Sequence, residues 1–369
     1  MAFAALSGDN RAVTTLRLTA DPAHLDDAAS RESIARAAEM LRAGGLVALP
    51  TETVYGLGAN ALDAVAVARI FAAKERPHWD PVIVHIAGPA TADNPMLRAL
   101  VKDVPEAARK LMEAFWPGPM TLLLPRSTAV PDPVTAGRPF VGIRMPAHPV
   151  ALRLIEAAQV PVAAPSANRF GHTSPTTAQH VLDDLDGRID AILDAGPALH
   201  GVESTVLDPT QTPIIVYRPG AVTLEQIRAV AGPAELFMTG KPLAAAPPEA
   251  LPSPGVGIRH YAPKARLYLI EGNTDELPHL LAAAAAAHAS ERLGLLLPTE
   301  FAISTELAGV DAVRFDWGHW GKPRELAAHL YAGLRALDQA GCTVLLCPLP
   351  EAHGIGAALR DRLRKAAAH

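Results

Sequence analysis

Cysteine is almost missing from this chain. Cys342 and Cys347 are its only two, and they lack the tight spacing of a redox motif or a metal knuckle, so neither a disulfide framework nor a zinc site is indicated and a reducing compartment fits. A basic excess is missing too: 33 Lys and Arg stand against 38 Asp and Glu, a formal net charge of -5, and neither half is cationic. That excludes a dedicated nucleic-acid binder and leaves basic residues to act as local clusters aimed at a small anion. The alanine-rich run 280–287 falls short of a bilayer span, and the opening MAFAALSGDNR has no basic residues before its apolar start, so no membrane association and a cytoplasmic location are expected. No GxxxxGK[ST], HExxH or GxSxG occurs, and Gly354-Ile355-Gly356 lacks the third glycine of a dinucleotide fingerprint. A nucleotide, if handled, needs another cradle.

What is present is a chain of 369 residues with 49% hydrophobic and 19% charged content, well packed and long enough for two domains. From 30 to 231, helical and strand-like segments alternate. Ser30 is placed to cap a helix ended by Gly44. Strands are predicted at 46–49, 82–86, 120–124, 141–144, 161–164, 191–193, 205–207 and 214–217, and helices at 63–73, 106–115, 149–158, 177–185 and 223–230. Several connections are too short for a helical crossover, which predicts a mixed sheet. Residues 232–264 are rich in Pro, Ala and Gly and read as a semi-rigid linker ending in Arg259-His260-Tyr261. Strands at 267–270, 293–297 and 343–347 then alternate with helices at 277–288, 324–339 and from 356, a small Rossmann-like three-layer α/β unit. The division predicted is 1–231, linker 232–264, and 265–369.

The stretch from Gly45 to Ile86 carries most of the chemistry. The strand at 46–49 stops at Pro50, so Thr51, Glu52 and Thr53 fall in a turn whose side chains face an opening. The next helix delivers Lys74 and Arg76 at its C-terminal end, pointing away from the packed face, with Pro77 preventing continuation. A point charge and a bidentate fork two residues apart suit a polyphosphate, although a solvated helix end is the plainer reading of the motif alone. Arg144, ending an apolar strand, fits either a substrate carboxylate or a structural ion pair. His85 inside VIVHI reads first as a core histidine. Ala163 to Asn168, followed by Ser174-Pro175-Thr176, supplies small residues, hydroxyls and an amide suited to phosphate, with a helix cap by Ser174 as the competing reading. Glu203-Ser204-Thr205 and Arg218-Pro219-Gly220 repeat the theme at the ends of two short strands.

Taken in order, PTETVYGLGANA, KERP with VIVHI behind it, WPGPMT, VGIRMPAHP, APSANRFGHTSPT, GVESTVLD and YRPGAVT resemble the motifs of the YrdC-like family. SPGVGIRHYAPKARLYLIE and GIGAALRDRLRKAA are similar to the linker and second domain of its long form, the two-domain L-threonylcarbamoyladenylate synthases. The resemblance runs from about residue 35 to the C-terminus. It implies a YrdC-like twisted mixed sheet with a concave, positively lined cavity, plus a smaller Rossmann-like α/β C-terminal domain. It implies a nucleotidyltransferase that converts L-threonine, bicarbonate and ATP, with Mg²⁺ accompanying the ATP, into threonylcarbamoyl-AMP and pyrophosphate. The product would pass to a separate transferase that modifies adenosine 37 of tRNA, without stable nucleic-acid binding by this chain. By motif, Thr51, His85, Arg144, Ser204 and the backbone of Ala164 would hold threonine. Lys74, Arg76, Asp80, Phe140, Ser166, Asn168, Ser174, Arg218, His260 and Tyr261 would hold ATP, the linker end lying across the cavity mouth and excluding water. No covalent catalyst is expected.

Two positions depart from the pattern. Asp80 stands where the family usually has Asn, so it either turns outward or joins a metal site, and Asp361-Arg362 stands where Asn-Arg is usual. Two other readings share the domain: an RNA-binding module, opposed by the acidic totals, and a carbamoyltransferase-type maturation protein, whose zinc-finger segments are not matched by any CxxC pair here.

Overall fold

The computed structural model describes residues 14–237, 260–301 and 312–368. Its larger sheet runs through β1 (Leu16–Thr19), β2 (Val47–Leu49), β3 (Gly56–Asn60), β4 (Ile83–His85), β5 (Met120–Pro125), β6 (Phe140–Arg144), β7 (Val162–Ala163), β8 (Ala191–Asp194), β9 (Thr205–Asp208), β10 (Ile214–Arg218) and β11 (Ala234–Leu236). The spatial order is β1-β8-β2-β3-β7-β4-β6-β5-β9-β10-β11. Parallel pairs such as β4 with β6 alternate with antiparallel ones such as β5 with β6, giving the mixed sheet expected from the short connections. The smaller sheet contains β12 (Arg266–Ile270), β13 (Leu293–Leu297), β14 (Ala312–Asp316) and β15 (Val344–Pro348) in the order β12-β15-β13-β14, all parallel. Its crossovers include the helices Leu277–Ala287 and Pro323–Gln339, and Ile355–Ala366 closes the unit.

Several local expectations are corrected. Asp27, not Ser30, precedes the first helix, while Ser30 is buried and its Oγ accepts from the Asp21 N–H at 3.0 Å. Thr177, not Ser174, caps Ala178–Leu185 by accepting from His180 N–H. The strand β11 lies inside the stretch read as linker. The strand β3 reads GLGAN, which looks like a loop, yet a Cβ on Gly58 would sit 2.8 Å from Leu49 Cδ2 and 2.9 Å from Val162 Cγ1. Only glycine lets the three strands close there.

The helix Ala64–Lys74 forms because Asp63 accepts from the Val65 and Ala66 N–H groups and Ala66, Val67, Ile70 and Phe71 share its buried face. It ends at Lys74, two residues before Arg76, because Glu75 turns left-handed at φ 56°. The larger unit has its own apolar core, whereas the core of the smaller one includes Val54, Val202, Ala221 and Tyr261 together with Leu330, Tyr331 and Leu363. The two units thus share packing. They pack tightly at Gly201, where a Cβ would lie 2.3 Å from Ala327 O. Among the described residues, no helix is long and apolar enough to cross a membrane.

Candidate active site

The concave hollow of the larger sheet is built from neighbouring strand ends. Register places His85 opposite Arg144 and Arg144 opposite Thr121, while Arg218 pairs with Val206, next to Ser204 and Thr205. Thr51, Thr53, Arg76, His85, Arg144, Ala164, Ser166, Glu203, Ser204, Arg218, His260 and Tyr261 all line this one cavity. Residues scattered over some 200 positions of sequence therefore meet, which spacing alone could not guarantee.

At one end, the turn after β2 winds around Thr51. Its Oγ1 donates to Val54 O at 2.6 Å and accepts from Thr53 and Val54 N–H, both at 3.2 Å. Arg144 is buried: Nη1 donates to Thr53 Oγ1 at 2.9 Å, Nε to Gly118 O at 3.3 Å, and Nη2 lies 2.6 Å from Glu52 Oε1. Burial pushes the Glu52 carboxyl up, but the Arg144 charge and hydrogen bond outweigh it and hold the group below its ordinary value. The structural ion pair is therefore present, and the same side chain also lines the cavity. His85 is held neutral, its pKa pushed down to about 3 by burial and then by the Arg144 charge. Ser204 Oγ shares a hydrogen bond with Thr121 Oγ1 at 2.8 Å and accepts from Arg218 Nη2 at 3.1 Å, while Arg218 Nε donates to Ser204 O at 3.0 Å.

The other end corrects the expected exposure of the KER motif. Lys74 is 1% and Arg76 7% exposed. Lys74 Nζ donates to Ser166 O at 2.5 Å and to Asn168 O, so it ties down the loop after β7 and does not line the cavity. Burial, then the Arg76 charge, push its ammonium well below the ordinary value. Arg76 does line the cavity, with Nε donating to Asp80 O at 3.1 Å and Nη2 to Pro81 O at 2.7 Å. Asp80 turns inward, fully buried, its Oδ2 lying 3.0 Å from Arg76 Nη2 and 3.7 Å from His260 Nε2. Burial raises that carboxyl, and Arg76 and His260 more than offset it. Asn168 Nδ2 donates to Arg169 O and His172 O, Ser174 Oγ donates to Glu203 Oε1 at 2.5 Å, and Phe140 packs with Ile83, Leu123, Val206 and Tyr217. None of these last three lines the cavity.

His260 and Tyr261 line the same cavity, while Arg259 lies outside the described residues. Tyr261 has φ 65°, an uncommon conformation for a bulky side chain. His260 meets Phe170 edge-on at 5.0 Å, and Tyr261 stacks on Tyr331 at 5.8 Å. The cavity volume is about 50 Å³, room for a few waters and far less than a nucleotide requires. His85 Nδ1, Asn168 Oδ1, His260 Nε2 and both Asp80 carboxylate oxygens are buried without a hydrogen-bond partner. Such atoms are rare in folded proteins, and two of these side chains, His85 and His260, line the hollow, where a ligand's polar groups would meet them.

Sequence reasoning missed the second domain's share. Glu203 lines the cavity and accepts from Arg362 Nε at 2.7 Å and from Tyr331 OH at 3.0 Å. A signal was available: Arg362 falls on the buried stripe Ala358, Leu359, Leu363 and Ala366 of its helix, where a charge needs a partner.

Two family models match the chain in succession: one described as "Telomere recombination", covering the Sua5, yciO and yrdC proteins, over residues 39–220, and one described as "Threonylcarbamoyl-AMP synthase, C-terminal domain" over 222–368. The threonylcarbamoyl-AMP synthase of Pyrococcus abyssi is 42% identical, spanning 90% of this chain and 93% of its own length. That of Bacillus subtilis is 43% identical, spanning 90% and 92%. The crystal structure of P. abyssi Sua5 complexed with L-threonine superposes with a TM-score of 0.85 at 39% identity, covering 96% of this chain and 98% of that one.

Proposed function

From the premise that the chain belongs to the two-domain threonylcarbamoyl-AMP synthase family, and is an enzyme of the nucleotidyltransferase type, we propose that it joins L-threonine, bicarbonate and ATP into threonylcarbamoyl-AMP and pyrophosphate. The carrying observation is that Arg144 and Arg218 face one cavity. Arg144 takes the threonine carboxylate, with Thr51, Ser204 and the Ala164 backbone around the side chain and the neutral His85 as an uncharged hydrogen-bonding neighbour. Arg76, Ser166 and Arg218 meet the triphosphate, and Lys74, Asn168 and Ser174 hold the loops that carry them.

The amine attacks the carbon of bicarbonate-derived CO₂ and loses a proton to give a carbamate. A carbamate oxygen then attacks the α-phosphorus, and the bond to the β-phosphate oxygen breaks, releasing pyrophosphate. Positioning and charge neutralisation suffice for such a transfer, so no side chain becomes covalently modified. Among the described residues, no group of three His, Cys, Asp or Glu side chains is placed to cage a metal. Mg²⁺ would enter on the triphosphate with its own waters, and the carboxylate of Asp80, buried beside Arg76 and His260, would be the protein group to hold it. When bound, the ion would neutralise phosphate charge. ATP entry requires His260 and Tyr261 to shift, after which they cover the labile carbamate. The catalytic role falls to residues 1–231, and the product serves a separate cytoplasmic transferase acting on tRNA adenosine 37. The test is pyrophosphate release with each substrate omitted in turn and mass analysis of the nucleotide product. Release that needs both threonine and bicarbonate and yields threonylcarbamoyl-AMP is expected; release indifferent to threonine overturns the reading.

A further inference from the structure

Glu203 lies on the cavity wall, next in sequence to Ser204, in the same hollow as Arg76, Ser166 and Arg218, the residues assigned above to the triphosphate. A free carboxylate there has the wrong sign for phosphate. Three donors meet it: Ser174 Oγ on Oε1 at 2.5 Å, Tyr331 OH on Oε2 at 3.0 Å, and Arg362 Nε on Oε2 at 2.7 Å. Only Arg362 among them brings a charge. It is 0% exposed, does not line the cavity, and reaches Glu203 from the last helix of the second domain. Its other carboxylate neighbour, Asp361, at 2.5 Å from Nη1, is also paired with Lys365 Nζ at 2.7 Å. Burial pushes the Glu203 carboxyl up, and Arg362 is the foremost charge holding it below its ordinary value, with Arg218 contributing next. The Arg362 guanidinium lies 5.2 Å from the centre of the Tyr261 ring, which lines the cavity.

We infer that Arg362 is a positioning residue through which the second domain serves the cavity: it cancels the Glu203 charge and braces Tyr261, so that a triphosphate meets Arg76 and Arg218 without an opposing carboxylate. This deepens the ATP reading and rests on it. A buried pair of this kind is far costlier to break on one side than to remove altogether. Loss of Arg362 alone strands a negative charge, and loss of both charges does not.

The test uses the full chain and two probes, a non-hydrolysable ATP analogue and L-threonine, titrated separately by calorimetry. Arg362→Met is expected to weaken the ATP analogue tenfold or more while threonine stays within twofold. Arg362→Met with Glu203→Gln is expected to recover most of that loss, and Arg362→Lys, which keeps the charge, to stay within threefold of native. Melting the native, single and double variants without ligand reads the pairing itself, so the double variant should melt above Arg362→Met. Native-like ATP binding by Arg362→Met, equal loss of threonine, or a double variant as weak as the single one overturns the inference. If the native chain binds no ATP analogue, the ATP reading fails, while the melting series still reports on the Glu203–Arg362 pair.

Discussion

Two buried arginine–glutamate pairs border the cavity, mounted in opposite senses. In one, Arg144 faces the hollow and Glu52 stands behind it; in the other, Glu203 faces the hollow and Arg362 stands behind. The first pair lies within the larger domain, whereas the second joins two domains across 159 positions of sequence. The difference teaches that the field inside a site is set as much by the residue behind the wall as by the residue on it. A cation in front with an anion behind orients a guanidinium for a carboxylate. An anion in front with a cation behind is silenced, leaving the neighbouring Arg76 and Arg218 to act.

The largest effect should come from removing the cation that faces the hollow. Arg144→Ala strands Glu52, which is 5% exposed, and is expected to lower threonine-dependent pyrophosphate release by about a hundredfold or more and stability by about 3–5 kcal/mol. Steady-state kinetics and urea unfolding check both. Unchanged threonine saturation would break the symmetry drawn between the two pairs. A smaller effect is expected at the domain contact. Gly201 has φ 66° and its missing Cβ would meet Ala327 O at 2.3 Å, so Gly201→Ala should cost about 1–3 kcal/mol by displacing the loop that carries Glu203 and Ser204. Calorimetric titration should then show ATP-analogue affinity falling more than threonine affinity, which distinguishes the interdomain pair from the one within the larger domain.

The smallest and most specific effect concerns pH. His85 has a native pKa of about 3 against an ordinary 6.5, so above pH 6.5 it is neutral in both states. Between 6.5 and 3 the unfolded chain takes up the proton first, and stability falls as pH falls through that window. His85→Gln should therefore flatten the acid side of the melting profile between about pH 7 and pH 4, while His180, pushed down to about 4, keeps its own part of the slope. An unchanged acid slope would show that His85 is not held neutral.

Much of this was legible in the sequence because it was carried by local signals. The apolar runs of β4, β5 and β6 and the helical run at 63–73 predict their elements closely, and the motif order brings together the residues that share the cavity. What was not legible depended on tertiary context. GLGAN becomes a strand only because Gly58 admits its neighbours, and the edge strand β14, with its AVRFD sequence, has no face buried enough to show a clear period. Lys74 and Arg76 read as solvated because Pro77 was taken as the end of the helix, whereas the left-handed Glu75 turns the chain back over the site. Arg362 was visible as a charge on an apolar stripe, but its partner lies in another domain, beyond the reach of any local pattern.

Tyr261 belongs to two neighbourhoods at once, the lining of the hollow and the apolar interior that contains Tyr331, Leu330 and Leu363. Any outward swing that admits a nucleotide must therefore unseat part of that interior. Occupancy of the hollow and the tightness of the neighbouring fold become a single quantity, and filling one end of the molecule should be felt as slower amide exchange around Leu330 and Leu363, well away from any bound atom.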